Sequence, residues 1–490
     1  MRYSRNDPVE FFRQLFHNFQ LMKSRYLPFY LIAIAVFIGI AGPALFSDGM
    51  FVDGLVYSSI ARNLADGLGS FWDLHYTETL YPHFFEHPPL AFGFQSLFFR
   101  ILGDGIYTER IYSLLTFFVT GWIITSIWKE VILTEYKKYA WFPLAIWVTI
   151  PLVTWAPACN LLENTMMIFT SLSVLFFLKS RQIRRVLYLA LSGIMLFLGF
   201  MTKGPVALFP LALPFWICIV RNDYRFKQFF VDMLILGAGL LIPFLSMYVL
   251  IPESADYLKA YYNNQILRSM DVATVNTRLF IVFRLLKELI PAAGIVLLTY
   301  LLTLRQKSSK NISTWYIVFF ALGLSGVLPI IISTKQSGFY ILATLPFFSI
   351  AIATLIVHRL SVLVSKIKFL GMGYRIFKIA SVVLVIAAIA ISSTQVNKIG
   401  RDKNKLQDVY SLSELLPEHS TISIQKSLWT DWSLHGYLQR YGKISIDSNP
   451  EHSYKYMLIK KGYTGENVAM WKFVSIDLNL YDLYEKDPAN

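Results

Sequence analysis

"YLPFYLIAIAVFIGIAGPALF", Tyr26–Phe46, is an apolar run without a single charge. A helix needs about 20 apolar residues to cross a hydrocarbon core, and this run supplies them. It follows Arg13, Lys23 and Arg25. It is longer than a signal-peptide core and no small-residue cleavage site follows it, so it reads as a permanent first span whose basic end stays inside.

The rest of the chain repeats that pattern. Of 490 residues 55% are hydrophobic and only 16% are charged, against about 25% charged in a soluble domain; mean hydropathy is +0.49. The sequence is that of a polytopic α-helical membrane protein. The net charge of +14 does not point to nucleic acid, because the basic residues sit between apolar runs, as in "KSRQIRR" (179–185) and "RQKSSK" (305–310). Such clusters mark loops that face the anionic inner leaflet. Cys159 and Cys218 lie on different runs, which argues against a disulfide or a thiolate metal site.

Oriented by lysine and arginine, the first span runs outward. The outer loop 47–108 follows, and "PLAFGFQSLFFRILG" (89–103) lies in it as an interfacial helix. Further spans are expected near 109–128, 139–157, 161–178, 185–201, 205–220, 229–251, 289–304, 314–333, 338–357 and 375–394, about eleven in all with the first. A crossing at 89–103 would turn nearly all later basic loops outward, so the positive-inside pattern rejects it. From Lys398 the long apolar runs stop. "TISIQ", "KISID", "YKYMLIKK" and "WKFVSIDL" alternate like short strands, and "LHGYLQRYG" reads as a helix ending at glycine. The expected division is a transmembrane module, 1–397, and a small extracytoplasmic α/β domain, 398–490.

Ionisable residues at span ends on one side are functional candidates. Here they are Asp53, Glu86, His87, Arg110, Glu163, Lys203 and Lys335, all at the outer face of this topology. Each has a plainer reading. Asp53, in "MFVDGLVYSSIARNL", is placed to cap a short helix, and lysines at span ends snorkel to the interface. Glu86 and His87 precede Pro88-Pro89, which breaks helix before it and suits a first turn after it. His83, Glu86 and His87 put three possible ligands within five residues, a spacing that alone does not select a divalent metal over solvated side chains. No other cofactor is indicated.

The ordered set "EHPPL" (86–90), "LGDGIYTERIYSLL" (102–115), "LLEN" (161–164), "MTKGP" (201–205) and "TKQSGFYILATLP" (334–346), preceded by Asp53, resembles the GT-C fold glycosyltransferases that use polyprenyl-phosphate sugars. Within them it is most similar to the bacterial lipid A aminoarabinose transferases and the protein O-mannosyltransferases. The resemblance covers roughly 26–357 and implies roles. Asp53 matches the catalytic aspartate and Glu86 the carboxylate before Pro-Pro. His87 stands where many members have lysine, and Glu163 where the lipid A enzymes have aspartate. Arg110, Lys203, Lys335 and Tyr340 match substrate-binding positions, and Arg268 and Arg278 would meet the carrier phosphate. The implied enzyme is an inverting glycosyltransferase of the bacterial inner membrane. It would work on the periplasmic face, from a polyprenyl-phosphate-linked donor to a glycolipid or protein acceptor. The alternative, a transporter or flippase of a lipid-linked anion, should show broken spans at the midplane or internal repeats, and the sequence shows neither.

Overall fold

The computed structural model describes residues 25–267, 272–305, 313–463 and 471–486. Among these, eight helical stretches are long and apolar enough to cross a membrane, or nine if one bent pair is a single span. The chain is a multi-pass membrane protein. The expected eleven spans are not all met. The run at 139–157 is broken into Trp141–Val148 and Pro151–Cys159, set at 82° to each other. Pro151 is the cause: Ile150 before it is extended (φ −75°, ψ 120°), as a residue preceding proline prefers. The run at 289–304 yields only Ile290–Leu302, short of a full crossing by length.

The stretch Arg185–Val220 counts as one apolar unit of 36 residues, but it doubles back. Helix Arg185–Lys203 ends at Gly204, and the next turns run as a tight 3₁₀ helix, Gly204–Ala212. A Cβ on Gly199 would lie 3.1 Å from Ala207 Cβ, so the two arms touch. Gly204 has φ +78°, and a Cβ there would stand 2.0 Å from the Tyr261 hydroxyl. Only glycine fits such a site.

Leu162–Ser180 and Gly338–Ser365 are the most enclosed spans, while Phe226–Leu250 and Met372–Ser393 lie at the periphery. Met372–Ser393 packs on the first span through small residues: a Cβ on Gly42 would meet Ser392 Oγ at 2.1 Å, and that hydroxyl donates to the Ile38 carbonyl at 3.2 Å. Close backbone approach of this kind is what holds helices together where lipid removes the hydrophobic drive. The segment expected to lie at the interface is a helix, Leu90–Leu102, apolar but shorter than a full crossing.

Residues beyond Lys403 form a five-stranded mixed sheet in the order Ser445–Asp447, Thr421–Ile424, Tyr456–Lys460, Tyr481–Lys486, Trp471–Phe473. The first three strands are parallel and the last two join antiparallel. Its core includes Leu406, Leu412, Ile422, Tyr437, Ile446 and Leu458, and Met50 and Leu55 enter the same core from the first outer loop.

That loop is clamped. Arg62, fully buried on helix Val52–Asp66, donates to the carbonyls of Gln439 and Arg440, each at 2.9 Å. Arg440 in turn holds Glu109 at 3.1 and 2.9 Å and Asp104 at 2.6 Å. One buried guanidinium therefore ties the sheet layer to the span Thr108–Val131, and a second fixes the helix that carries Asp53. Arginine suits this task because its planar fork serves several acceptors at once.

Candidate active site

Asp53 sits in the first turn of helix Val52–Asp66, but the N-cap is Phe51 and no side chain caps the end. The capping expectation is corrected: Asp53 lies two residues past the cap position, inside the first turn. Gly54 beside it is obligatory, since a Cβ would lie 2.3 Å from the Cys159 carbonyl. The "DG" pair thus presses the helix start against the turn before Glu163.

Glu163 begins the span Leu162–Ser180 and is fully buried. Its Oε1 accepts from Lys203 Nζ, while Oε2 has no partner among the described residues. Lys203 Nζ also stands over the Phe339 ring at 5.5 Å and the Tyr340 ring at 5.2 Å. Two aromatic faces and a carboxylate hold one ammonium, and cation–π attraction strengthens where water is scarce. Lys335 Nζ donates to Gln265 Oε1 at 3.0 Å.

Glu86 Oε1 accepts from the Tyr81 hydroxyl at 3.0 Å, and Tyr81 holds an unusual φ of +54° to reach it. His87 Nε2 is 3.2 Å from the Tyr57 hydroxyl, and the Tyr257 hydroxyl donates to the His87 carbonyl at 2.6 Å. Burial, then Lys203 and Lys335, hold the imidazole well below its ordinary pKa. His87 is therefore neutral at pH 7 and supplies no cation where lysine would.

These groups share one electrostatic neighbourhood. Burial pushes the Asp53 carboxyl up to about 6; Lys203 opposes that shift, and Glu163 and Glu86 add to it. Burial also raises the Tyr57 hydroxyl, with Asp53, Glu163, Tyr340 and Glu86 contributing. Asp53, Glu86, His87, Glu163, Lys203, Lys335 and Tyr340 thus converge from five separate parts of the chain.

Other expected residues do not join them. Arg110 is buried and donates to the carbonyls of Leu45 (3.3 Å), Ser47 and Gly49 (2.8 Å); it shapes the loop that precedes Asp53. Arg278 is exposed, and its carbonyl accepts from Gln336 Nε2 at 2.9 Å, beside Lys335. Arg268 lies outside the described residues. The grouping of His83, Glu86 and His87 around a metal is not formed. His83 pairs with Asp73 at 2.7 Å while the other two face Tyr81 and Tyr57. Among the described residues no three of His, Cys, Asp and Glu gather to hold a metal ion.

Sequence reasoning missed Tyr57, Tyr81, Tyr257 and Arg284. Tyr57 was findable, four residues after Asp53 and so on the same helix face. Arg284 pairs with Glu288 at 2.6 Å, and a Cβ on Gly338 would meet its Nε at 3.2 Å; nothing local in the sequence marks it.

The family described as dolichyl-phosphate-mannose-protein mannosyltransferase matches residues 86–246, a segment that opens at Glu86 and contains Glu163 and Lys203. No curated protein matches the sequence. Among solved structures, ArnT from Cupriavidus metallidurans bound to undecaprenyl phosphate superimposes with a TM-score of 0.64 at 14% identity, over 94% of this chain and 98% of that one. The chain has the GT-C fold. The apo state of the same ArnT gives 0.65 at 13% identity, over 94% and 97% of the two chains. Coverage on this scale takes in the sheet layer as well as the spans, so the GT-C comparison extends beyond the part that carries the sequence motifs.

Proposed function

We propose that the protein is an inverting glycosyltransferase that moves a sugar from a polyprenyl-phosphate carrier to an acceptor. The observation that carries this reading is the arrangement of charge. Two carboxylates, Asp53 and Glu86, and two lysines, Lys203 and Lys335, act on one site at one end of the bundle. The matched family is named for a polyprenyl-phosphate sugar donor, and the solved ArnT holds undecaprenyl phosphate. A lipid carrier would deliver its sugar at this level of the membrane.

In the reaction, an acceptor oxygen attacks the anomeric carbon and the bond to the phosphate oxygen breaks. The electron pair leaves with the phosphate. Charge that develops there is met by Lys203 and Lys335, and such fixed cations count most in a site poor in water. A hydroxyl acceptor passes its proton to Asp53. A carboxyl with a pKa near 6 is ionised at pH 7 yet basic enough to serve, which is the optimum for a general base. Glu86, oriented by Tyr81, faces the acceptor side. The transition state is oxocarbenium-like, as in glycoside chemistry, and direct displacement inverts the anomeric centre. The acceptor is a glycolipid or a protein hydroxyl presented on the extracytoplasmic face.

The test is transfer by purified protein from a synthetic polyprenyl-phosphate sugar of known anomeric configuration, with the product configuration read by NMR. An inverted product linked to envelope lipid or protein supports the reading. Retention of configuration, or movement of intact donor across a vesicle without bond cleavage, overturns it.

A further inference from the structure

The opposite end of the bundle carries a polar cavity of its own. Glu163, the partner of Lys203, and Ser180 stand at opposite ends of one span, so this cavity lies ~26 Å along the helix from Glu163 at 1.5 Å per residue. It is an open cleft of about 380 Å³ between two turns, and Arg181, Arg184, Arg185, Asp223, Tyr224 and Asp232 line it.

Its walls are built rather than loose. Asp232 is almost fully buried and accepts from Arg185 Nε and the Tyr224 hydroxyl, both at 2.7 Å. Asp223 pairs with Arg181 at 3.2 Å and takes the fork of Arg221 at 3.0 and 2.8 Å. The Trp315 ring holds both of these guanidinium groups, Arg221 at 4.4 Å and Arg181 at 5.8 Å. Arg184, at the turn between the spans with φ +41°, has no ion pair among the described residues. Three guanidinium groups, Arg181, Arg184 and Arg185, thus line the cavity with two carboxylates, and Arg221 occupies Asp223 from beside it.

The surroundings name the medium. Ile183, Val186, Phe226 and Phe230, from the same two turns and the helix starts that follow, are exposed large apolar residues. The cavity therefore opens at the level where a lipid headgroup meets its chains. Its volume exceeds a bare phosphate and suits a small headgroup, and basic pockets between spans are a general site for anionic lipid.

We infer that this cavity binds the phosphate group of an anionic ligand, with Arg184 as the free cation and Arg181 and Arg185 as the fixed ones. The chemistry is that of a phosphodiester headgroup or a soluble phosphate monoester, and bidentate arginine recognises both.

Purified full-length protein in neutral detergent is titrated with phosphatidylglycerol, with phosphatidylcholine and with glycerol 1-phosphate, and bound molecules are counted by native mass spectrometry. Phosphatidylglycerol should bind, and Arg184→Gln should weaken it roughly tenfold, the loss of one charge-assisted contact. Asp223→Asn removes an opposing charge and should tighten it. Binding of glycerol 1-phosphate with the same two responses assigns the site to soluble phosphate instead. Equal binding by both variants and the unchanged protein overturns the inference. So does weakening by both variants together, the mark of a purely structural cluster. Sugar transfer should persist in both, which separates this site from the active site.

Discussion

Replacing Lys203 by methionine keeps most of the side chain's volume and removes its charge. The structure says what should happen next. Glu163 is fully buried and Lys203 is the only partner of its Oε1 among the described residues; its Oε2 has none. Breaking a buried pair from one side costs about 3–5 kcal/mol, chiefly because an uncompensated charge remains. Lys203→Met should therefore lose stability of that order, read as thermal or denaturant unfolding in detergent. Glu163→Gln in the same chain removes the stranded charge and should restore most of it. Activity should follow a different course. The leaving phosphate still lacks its cation in the double variant, and one charge-assisted contact is worth about 1.5–3 kcal/mol, so turnover should stay roughly tenfold or more below normal. Two results would refute the reasoning: a single variant as stable as the parent, which makes Lys203 a snorkelling lysine, or a double variant with restored turnover, which makes the pair structural only.

Asp53 should give an acid limb near pH 6 in kcat/KM, with activity rising as the carboxyl ionises; a limb set by the ordinary carboxylate range would contradict its placement. Its folded pKa lies above its unfolded one, so ionisation costs stability as pH rises from about 4 through 6. Asp53→Asn should remove a cost of up to ~3 kcal/mol above pH 6, and unfolding at pH 4 and pH 7.5 checks the sign. Tyr81→Phe should lower kcat/KM several-fold, as expected for a ~1 kcal/mol hydrogen bond, with normal unfolding. Gly204→Ala should destabilise the protein, because its Cβ meets the Tyr261 hydroxyl at 2.0 Å; adding Tyr261→Phe should recover only part, leaving the ring carbon at 2.9 Å and ~1–3 kcal/mol of backbone strain at φ +78°, ψ −153°.

Much of this architecture was legible before any coordinates. Apolar length placed the helices of the bundle, and sidedness of charge grouped Asp53, Glu86, Glu163, Lys203 and Lys335 at one end, where the structure brings them together. Four of the five strands after Lys403 overlap the alternating runs; Tyr481–Lys486 was missed because its period is faint. Illegible features share a physical cause. Arg110 and Lys203 look alike in sequence, each a cation at a span end, and only the fold shows one spent on backbone carbonyls and the other on a buried carboxylate. The neutral state of His87 depends on burial and on two lysines more than a hundred residues away. The break at Pro151 was readable locally, but a proline in an apolar run bends a span as readily as it ends one.

One measurement bears most directly on the account: release of free polyprenyl phosphate from a polyprenyl-phosphate sugar, with acceptor present, by purified protein and by its Asp53→Asn form. The account predicts steady release matched by sugar gained on the acceptor, and a loss of about 10²–10⁴-fold in Asp53→Asn for a hydroxyl acceptor, with folding intact. Near-normal release by well-folded Asp53→Asn protein would contradict it.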